Sequence, residues 1–181
     1  MKIAITGHSA GIGQALAVSW QKRGHEIVGL SRRNGYNIHN VDKTCDMIEP
    51  CDVFVNNAQS GYAQTDLLFE MARRWTDTRK HIVVISTMMT QDPMSCLPGL
   101  DMDHYRIQKV ALEQAVNQLR QRDLQIGFTI VRPGDIATAP DKTVPPSANV
   151  DNWANTLIDI LELTESKQLS VQDISLGPLC Q

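Results

Sequence analysis

Thr6-Gly7-His8-Ser9-Ala10-Gly11-Ile12-Gly13 follows the apolar run Ile3-Ala4-Ile5 and opens a helical pattern, so a strand, a glycine-rich turn and a helix N-terminus come in immediate succession. Glycine reaches positive φ and lets the backbone approach a ligand with no Cβ in the way, while free N–H groups and the positive end of the helix dipole attract phosphate. Three glycines at this spacing read as a dinucleotide cradle. The order is GxxxGxG rather than the commoner GxGxxG, and the GK[ST] ending of a triphosphate-binding loop is absent. Gly7, Ser9, Gly11, Ile12 and Gly13 are accordingly candidate cofactor-binding residues.

Working outward, short apolar runs alternate with helical patterns. Ile3–Thr6, Glu26–Leu30, Val53–Asn56, His81–Ser86, Gln125–Val131 and Leu169–Leu176 read as strands. Such βα alternation predicts a parallel sheet with helices on both faces. Ile12, Leu16 and Trp20 form the sheet-facing stripe of the first helix, which Gly24 ends. A helix over about 103–122 carries Leu112, Ala115, Val116 and Leu119 on one stripe and Ile107, Val110 and Ala111 on another, more than one sheet contact needs. Trp153, Leu157, Ile160 and Leu161 mark a last helix. Pro140, Pro145 and Pro146 make 139–149 an irregular loop.

Four more segments follow the glycine turn in order: Asn56-Asn57-Ala58 after Val53-Phe54-Val55, Ser86-Thr87 after Ile82-Val83-Val84-Ile85, Tyr105-Arg106-Ile107-Gln108-Lys109, and Arg132-Pro133-Gly134-Asp135-Ile136-Ala137-Thr138 after Ile130-Val131. With this ordered set the chain resembles a short-chain dehydrogenase/reductase, a short member of that family, over residues 1 to about 140. The resemblance implies an α/β fold, a Rossmann-like doubly wound parallel sheet in a single domain over 1–181. It also implies a homo-oligomer, dimer or tetramer, paired through the helix that carries Tyr105.

Tyr105 and Lys109, four apart on a helix, share a face. A nearby ammonium stabilises phenolate, which suits a phenol to proton exchange with a carbonyl or alcohol oxygen. The resemblance assigns Lys109 a second role, holding the nicotinamide ribose. Ser86 and Thr87 end a strand at the side of an open α/β sheet where ligands collect. The family register puts Thr87 at the catalytic position, chemical habit slightly favours Ser86, and the pair is kept. Asn57 and Ala58 border the cofactor in relatives, although Gln59 replaces the family's next glycine. No asparagine occurs between Asn57 and Asn117, so the asparagine of the family's proton relay has no match; Asp66 lies nearest and receives no role.

Ser31-Arg32-Arg33 ends the second strand, where an acidic residue would select an unphosphorylated ribose. Two guanidiniums there favour the 2′-phosphate of NADP over NAD. Asn37 and Ile38, after a short third strand, are placed beside the adenine. Pro133, Gly134, Ile136 and Thr138 sit where the family contacts the nicotinamide carboxamide. Met88, Met89, Met94 and Leu97 are candidate substrate walls.

Composition narrows the function class. The chain has 181 residues, 42% hydrophobic and 20% charged, with a net charge of −3, which offers no basic face to nucleic acid or an acidic membrane. One lysine and no long apolar run precede the first strand, predicting neither signal peptide nor membrane span and a cytoplasmic protein. Cys45, Cys51, Cys96 and Cys180 form no CxxC pair and the five histidines no ligand spacing, so neither metal nor disulfides are expected. The resulting expectation is an NADP(H)-dependent oxidoreductase moving a hydride between nicotinamide and a small carbonyl or alcohol. The alternatives are a catalytically weak NADP-binding sensor or regulatory protein of the same fold, and an epimerase or dehydratase that retains its cofactor.

Overall fold

The computed structural model describes residues 1–91, 102–138 and 148–178. Six parallel strands form its main sheet: β1 (Lys2–Thr6), β2 (Glu26–Leu30), β3 (Val53–Asn56), β4 (His81–Ile85), β5 (Gly127–Pro133) and β8 (Asp173–Leu176), in the spatial order β2-β1-β3-β4-β5-β8. Two shorter strands, β6 (Ile136–Ala137) and β7 (Ala148–Asn149), pair separately.

Successive strand side chains point to opposite faces, and each strand splits its apolar residues between two cores. Ile3, Ile5, Val55, Val83, Ile85 and Val131 pack beneath α1 (Gly11–Lys22) and α5 (Val150–Ser166), with Leu16, Trp20, Trp153, Leu157 and Ile158. Ala4, Phe54, Ile82, Val84, Phe128 and Ile130 face the other way, beneath α2 (Val41–Ile48), α3 (Ala63–Arg74) and α4 (Asp103–Arg120). The result is the doubly wound α/β arrangement that the βα alternation predicts. Burying each Val, Leu, Ile or Phe contributes about 1.5–3 kcal/mol, so both faces are strongly held.

One expected element is not formed. No third strand precedes Asn37; residues 31–40 instead make a 3-10 turn at Arg32–Asn34 and a short link into α2. A parallel neighbour needs a crossover of roughly a dozen residues or more, and residues 31–36 are too few. β2 is therefore an edge strand. The last two strands start later than their apolar runs, at Gly127 and Asp173 rather than Gln125 and Leu169.

The chain runs from β1 outward to β2, then crosses back to add β3 on the other side of β1. Strand order thus reverses at β1, and ligands of open α/β sheets bind beyond the carboxyl ends of the strands at such a reversal. The glycine turn, Asn57, Thr87 and Gly134 all lie just past those ends.

Candidate functional site at the carboxyl edge of the sheet

The turn from β1 into α1 is built for close backbone approach. Gly7 and Gly11 have φ of 73° and 55°, in the left-handed region where a side chain is strained. At Gly13 a Cβ would overlap Gly7 O and stand 2.7 Å from Asn57 Nδ2. Asn57 braces the turn, its Nδ2 donating to Thr6 O at 2.9 Å, while the Asn57 and Ala58 N–H groups donate to Thr6 Oγ1 at 3.0 and 3.1 Å. Helix α1 starts after Ala10 with no capping side chain and no acid in its first turn, which leaves its positive end open to an anion. Thr138 approaches from the opposite side, 3.5 Å from where a Gly11 Cβ would be.

Two polar features flank this cradle. The His8 ring lies against Gly29 of β2, and its Nδ1 is buried with no hydrogen-bond partner among the described residues. Ser31 is spent locally: its N–H and hydroxyl both donate to Asn34 Oδ1, forming the capping box of the 3-10 turn. That turn holds Arg32 and Arg33 outward, and Arg33 Nη1 donates to Ser9 O at 3.3 Å. Open helix N-terminus, glycine cradle and two exposed guanidiniums together fit a dinucleotide carrying an extra phosphate. Ile38 is 9% exposed and packs with the core under α2, while Asn37 accepts from His39 N–H and Asn40 N–H.

At the end of β4 the two hydroxyls part company. The Thr87 side chain stands close enough to the Tyr105 phenol to act on it, favouring the phenolate. Ser86 Oγ donates to Glu113 Oε1 instead, and Thr90 Oγ1 donates to the same oxygen at 2.8 Å. Glu113 is in turn clasped by Arg132 Nη2 at 2.8 Å, and Arg132 also pairs with Asp173 of β8 at 2.9 Å. Ser86 is thus bound at the strand end by Glu113, and Thr87 is the hydroxyl that acts on the phenol.

Tyr105 and Lys109 share a face of α4 as their spacing requires, yet their relation differs from the expectation. Lys109 is 3% exposed, and its Nζ donates to Ile85 O at 2.7 Å and Gln64 Oε1 at 2.9 Å. The ammonium stands 5.6 Å from the centroid of the Tyr105 ring. Burial pushes the Tyr105 phenol above its usual value, opposed by the Thr87 hydrogen bond, so the expected lowering by Lys109 is not seen. Lys109 itself is brought down to about 7 by burial, with Glu113 acting in the opposite sense. Helical spacing put the two residues on one face but said nothing of which atoms meet, and the lysine is drawn inward by buried carbonyls.

Gln64 is the site residue that motif matching misses. It is 3% exposed at the start of α3, whereas Asp66 is exposed on the same helix. A signal exists in the sequence, because Gln64 falls on the stripe completed by Leu67, Leu68, Met71 and Ala72, and a polar residue on an apolar stripe needs a buried partner. Glu113 interrupts the stripe of Leu112 and Val116 in the same way.

Past β5, Gly134 is demanded by packing, since a Cβ there would stand 2.8 Å from Gly177 Cα and 3.1 Å from Met88 Sδ. Pro133 is buried at the strand end, Ile136 is 8% exposed in β6, and Thr138 is exposed. Met94, Leu97, Cys96, Cys180 and residues 139–147 lie outside the described residues. Among the described residues no three His, Cys, Asp or Glu side chains are placed to hold a metal, and no helix is long and apolar enough to cross a membrane.

No protein-family model and no curated protein matches the sequence. Solved structures do match. A serine dehydrogenase from Escherichia coli superposes with a TM-score of 0.72 at 16% identity, covering 100% of this chain and 99% of that one. A short chain dehydrogenase from Burkholderia cenocepacia J2315, solved with NADP, gives 0.72 at 15% identity over 97% of this chain and 87% of its own. An alcohol dehydrogenase from the archaeon Thermococcus sibiricus, complexed with 5-hydroxy-NADP, gives 0.71 at 18% identity over 100% of this chain and 98% of that one. This chain thus has the Rossmann-type fold of the short-chain dehydrogenases/reductases.

Proposed function

We propose that the protein is a member of the short-chain dehydrogenase/reductase family and acts as an NADP(H)-dependent oxidoreductase on a small carbonyl or alcohol. The observation that carries the reading is the meeting of Tyr105 with Thr87, with Lys109 beneath the ring, at the sheet edge that also holds the glycine cradle. Two of the structurally similar dehydrogenases were crystallised with NADP or a derivative of it, which supports the cofactor class.

Gly7, Gly11, Gly13 and the open end of α1 would take the pyrophosphate, with Asn57 and Ala58 behind the turn and Arg32 and Arg33 at the 2′-phosphate. Pro133, Gly134, Ile136 and Thr138 would border the nicotinamide. The bound nicotinamide supplies the hydride chemistry. The chain's residues place the substrate oxygen and move its proton: Thr87 hydrogen-bonds that oxygen, Tyr105 exchanges the proton, and Lys109 holds the ribose with the N–H that Ile85 and Gln64 leave free. Because burial holds Tyr105 above its usual pKa, the phenol is protonated at neutral pH. That is the form which donates to a carbonyl oxygen when the reaction runs as a reduction.

An NADPH-oxidation screen across aldehydes, ketones and quinones tests this. Tyr105→Phe is expected to bind NADPH nearly as well as the parent while turnover drops by at least about 100-fold, the scale of losing a positioned acid–base group. Unchanged turnover in that variant removes Tyr105 from the mechanism. NADPH binding with no turnover on any substrate would favour the sensor reading, and tightly copurifying nucleotide with no net NADPH consumption the epimerase or dehydratase reading.

A further inference from the structure

Every polar atom of the Gln64 side chain is engaged. Nε2 donates to Asn56 O at 2.6 Å and to Ile85 O at 3.1 Å, and Oε1 accepts from Lys109 Nζ at 2.9 Å. The backbone is tied as well, since Asn56 Nδ2 donates to Gln64 O at 2.8 Å. An amide has one donor end and one acceptor end, and two backbone carbonyls can be served only by the donor end. The carbonyl of Gln64 is thereby forced toward the lysine.

Ile85 O is shared between the two side chains, accepting from Lys109 at 2.7 Å as well as from Gln64. Asn56, Gln64, Ile85 and Lys109 therefore form one buried hydrogen-bonded unit linking β3, α3, β4 and α4, in which Asn56 Oδ1 has no partner among the described residues. A neutral acceptor suits a lysine that must titrate, because an amide oxygen accepts from both the amine and the ammonium. A carboxylate at position 64 would pin the charge and set its own oxygens against Asn56 O and Ile85 O. A shorter amide would fall one methylene short of Nζ.

We propose that Gln64 is the positioning residue for Lys109: it fixes Nζ against Ile85 O near the Tyr105 ring and leaves one N–H of the ammonium for a ligand. The link to catalysis rests on the reading of Lys109 as the ribose-holding residue. The electrostatic surroundings are simple enough to test. Glu113 of α4 is the charged group that acts on Lys109, and it is itself paired with Arg132 of β5. The groups that α3, β3 and β4 bring to the unit are the neutral Gln64, Asn56 and the Ile85 carbonyl, and α4 adds the Tyr105 ring.

The experiment is competitive acetylation of the cofactor-free protein from pH 6 to 11, with the Lys109 peptide quantified by mass spectrometry, in the parent and in Gln64→Glu, Gln64→Leu and Gln64→Asn. NADPH affinity is measured in parallel. Gln64→Glu should raise the Lys109 midpoint by about one unit or more, the scale of adding an adjacent opposite charge. Gln64→Leu should alter both the labelling rate of Lys109 and its midpoint, and Gln64→Asn supplies the same information if the leucine variant does not fold. A Lys109 midpoint and labelling rate unchanged in Gln64→Glu and in a folded loss variant would overturn the proposal. A shifted midpoint with unaltered NADPH affinity would uphold the hold of Gln64 on Lys109 and overturn only the assignment of Lys109 to the cofactor.

Discussion

The buried lysine makes a prediction about stability that does not depend on any substrate. Burial brings Lys109 down to about 7 in the folded chain, against 10.5 for a free lysine. Between those values the unfolded chain carries a proton that the folded chain has lost, and stability rises with pH wherever the unfolded state binds more protons. Other shifted groups limit the useful window. His81 is lowered by burial from 6.5, so its contribution is complete below neutrality. Cys45 and Cys51, both buried, are raised from 9.0 and begin to act in the opposite sense above about pH 8, and Tyr105, raised from 10.0, does so at higher pH still. From pH 7 to 9 the slope therefore belongs chiefly to Lys109. One proton at about 1.4 kcal/mol per pH unit, half developed at the start, adds roughly 2 kcal/mol of stability. For a chain of this size that is roughly 4–8 °C in melting temperature. Urea unfolding at pH 7, 8 and 9 measures it. Lys109→Met should flatten the slope because it removes the titrating amine, whatever it does to the absolute stability by leaving Gln64 Oε1 without its partner. A flat profile in the parent, or an equal rise in Lys109→Met, would refute the reasoning.

Arg32→Asp should weaken NADPH binding by roughly 10–100-fold, the scale of losing a charge-assisted hydrogen bond, while NADH changes little; dissociation constants for both cofactors in both proteins check this, and equal NADPH and NADH affinity in the parent would sink the assignment. Gly13→Ala forces a methyl group against Gly7 O and Asn57 Nδ2, so it should cost about 1–3 kcal/mol in denaturant unfolding together with cofactor affinity, and a variant as stable as the parent would contradict the packed turn. Ile107 and Val110 of α4 are 56% and 37% exposed, and Phe69 of α3 is 37% exposed, so light scattering should give about twice the 20.2 kDa chain mass, with Ile107→Glu restoring the monomer.

Much of the frame was legible because strands and helices impose simple periods. Ala4 between Ile3 and Ile5, or Val83 between Ile82 and Val84, had to face opposite cores once the runs were read as parallel strands. Gly7, Gly11 and Gly13 were legible because only glycine meets a positive φ or a backbone contact at those places. The third strand was misread for a reason of length: Asn37-Ile38 matches a motif that follows a strand, but the residues after β2 cannot make the crossover that such a strand requires. The atomic relation of Tyr105 to Lys109 was not legible at all. A spacing of four sets a common face, whereas the position of Nζ depends on the carbonyls of Ile85 and Gln64, which come from two other elements.

Gln64, Lys109 and Glu113 interrupt apolar stripes at the same edge of the sheet, and each carries a desolvation cost that a leucine would not. Buried ion pairs add little to stability compared with apolar residues of similar volume, so Glu113 with Arg132 is poorly explained as a device for holding the fold together. Its geometry suggests another purpose. Glu113 takes the Ser86 hydroxyl out of the site, and Arg132 ties that carboxylate to β8 through Asp173. Ser86, so held, directly precedes Thr87, whose side chain acts on the Tyr105 phenol. The same carboxylate opposes the fall in the Lys109 pKa one helical turn away. One buried carboxylate thus holds the Ser86 hydroxyl and opposes the fall of the Lys109 pKa, which an apolar residue at this place on the stripe could not do.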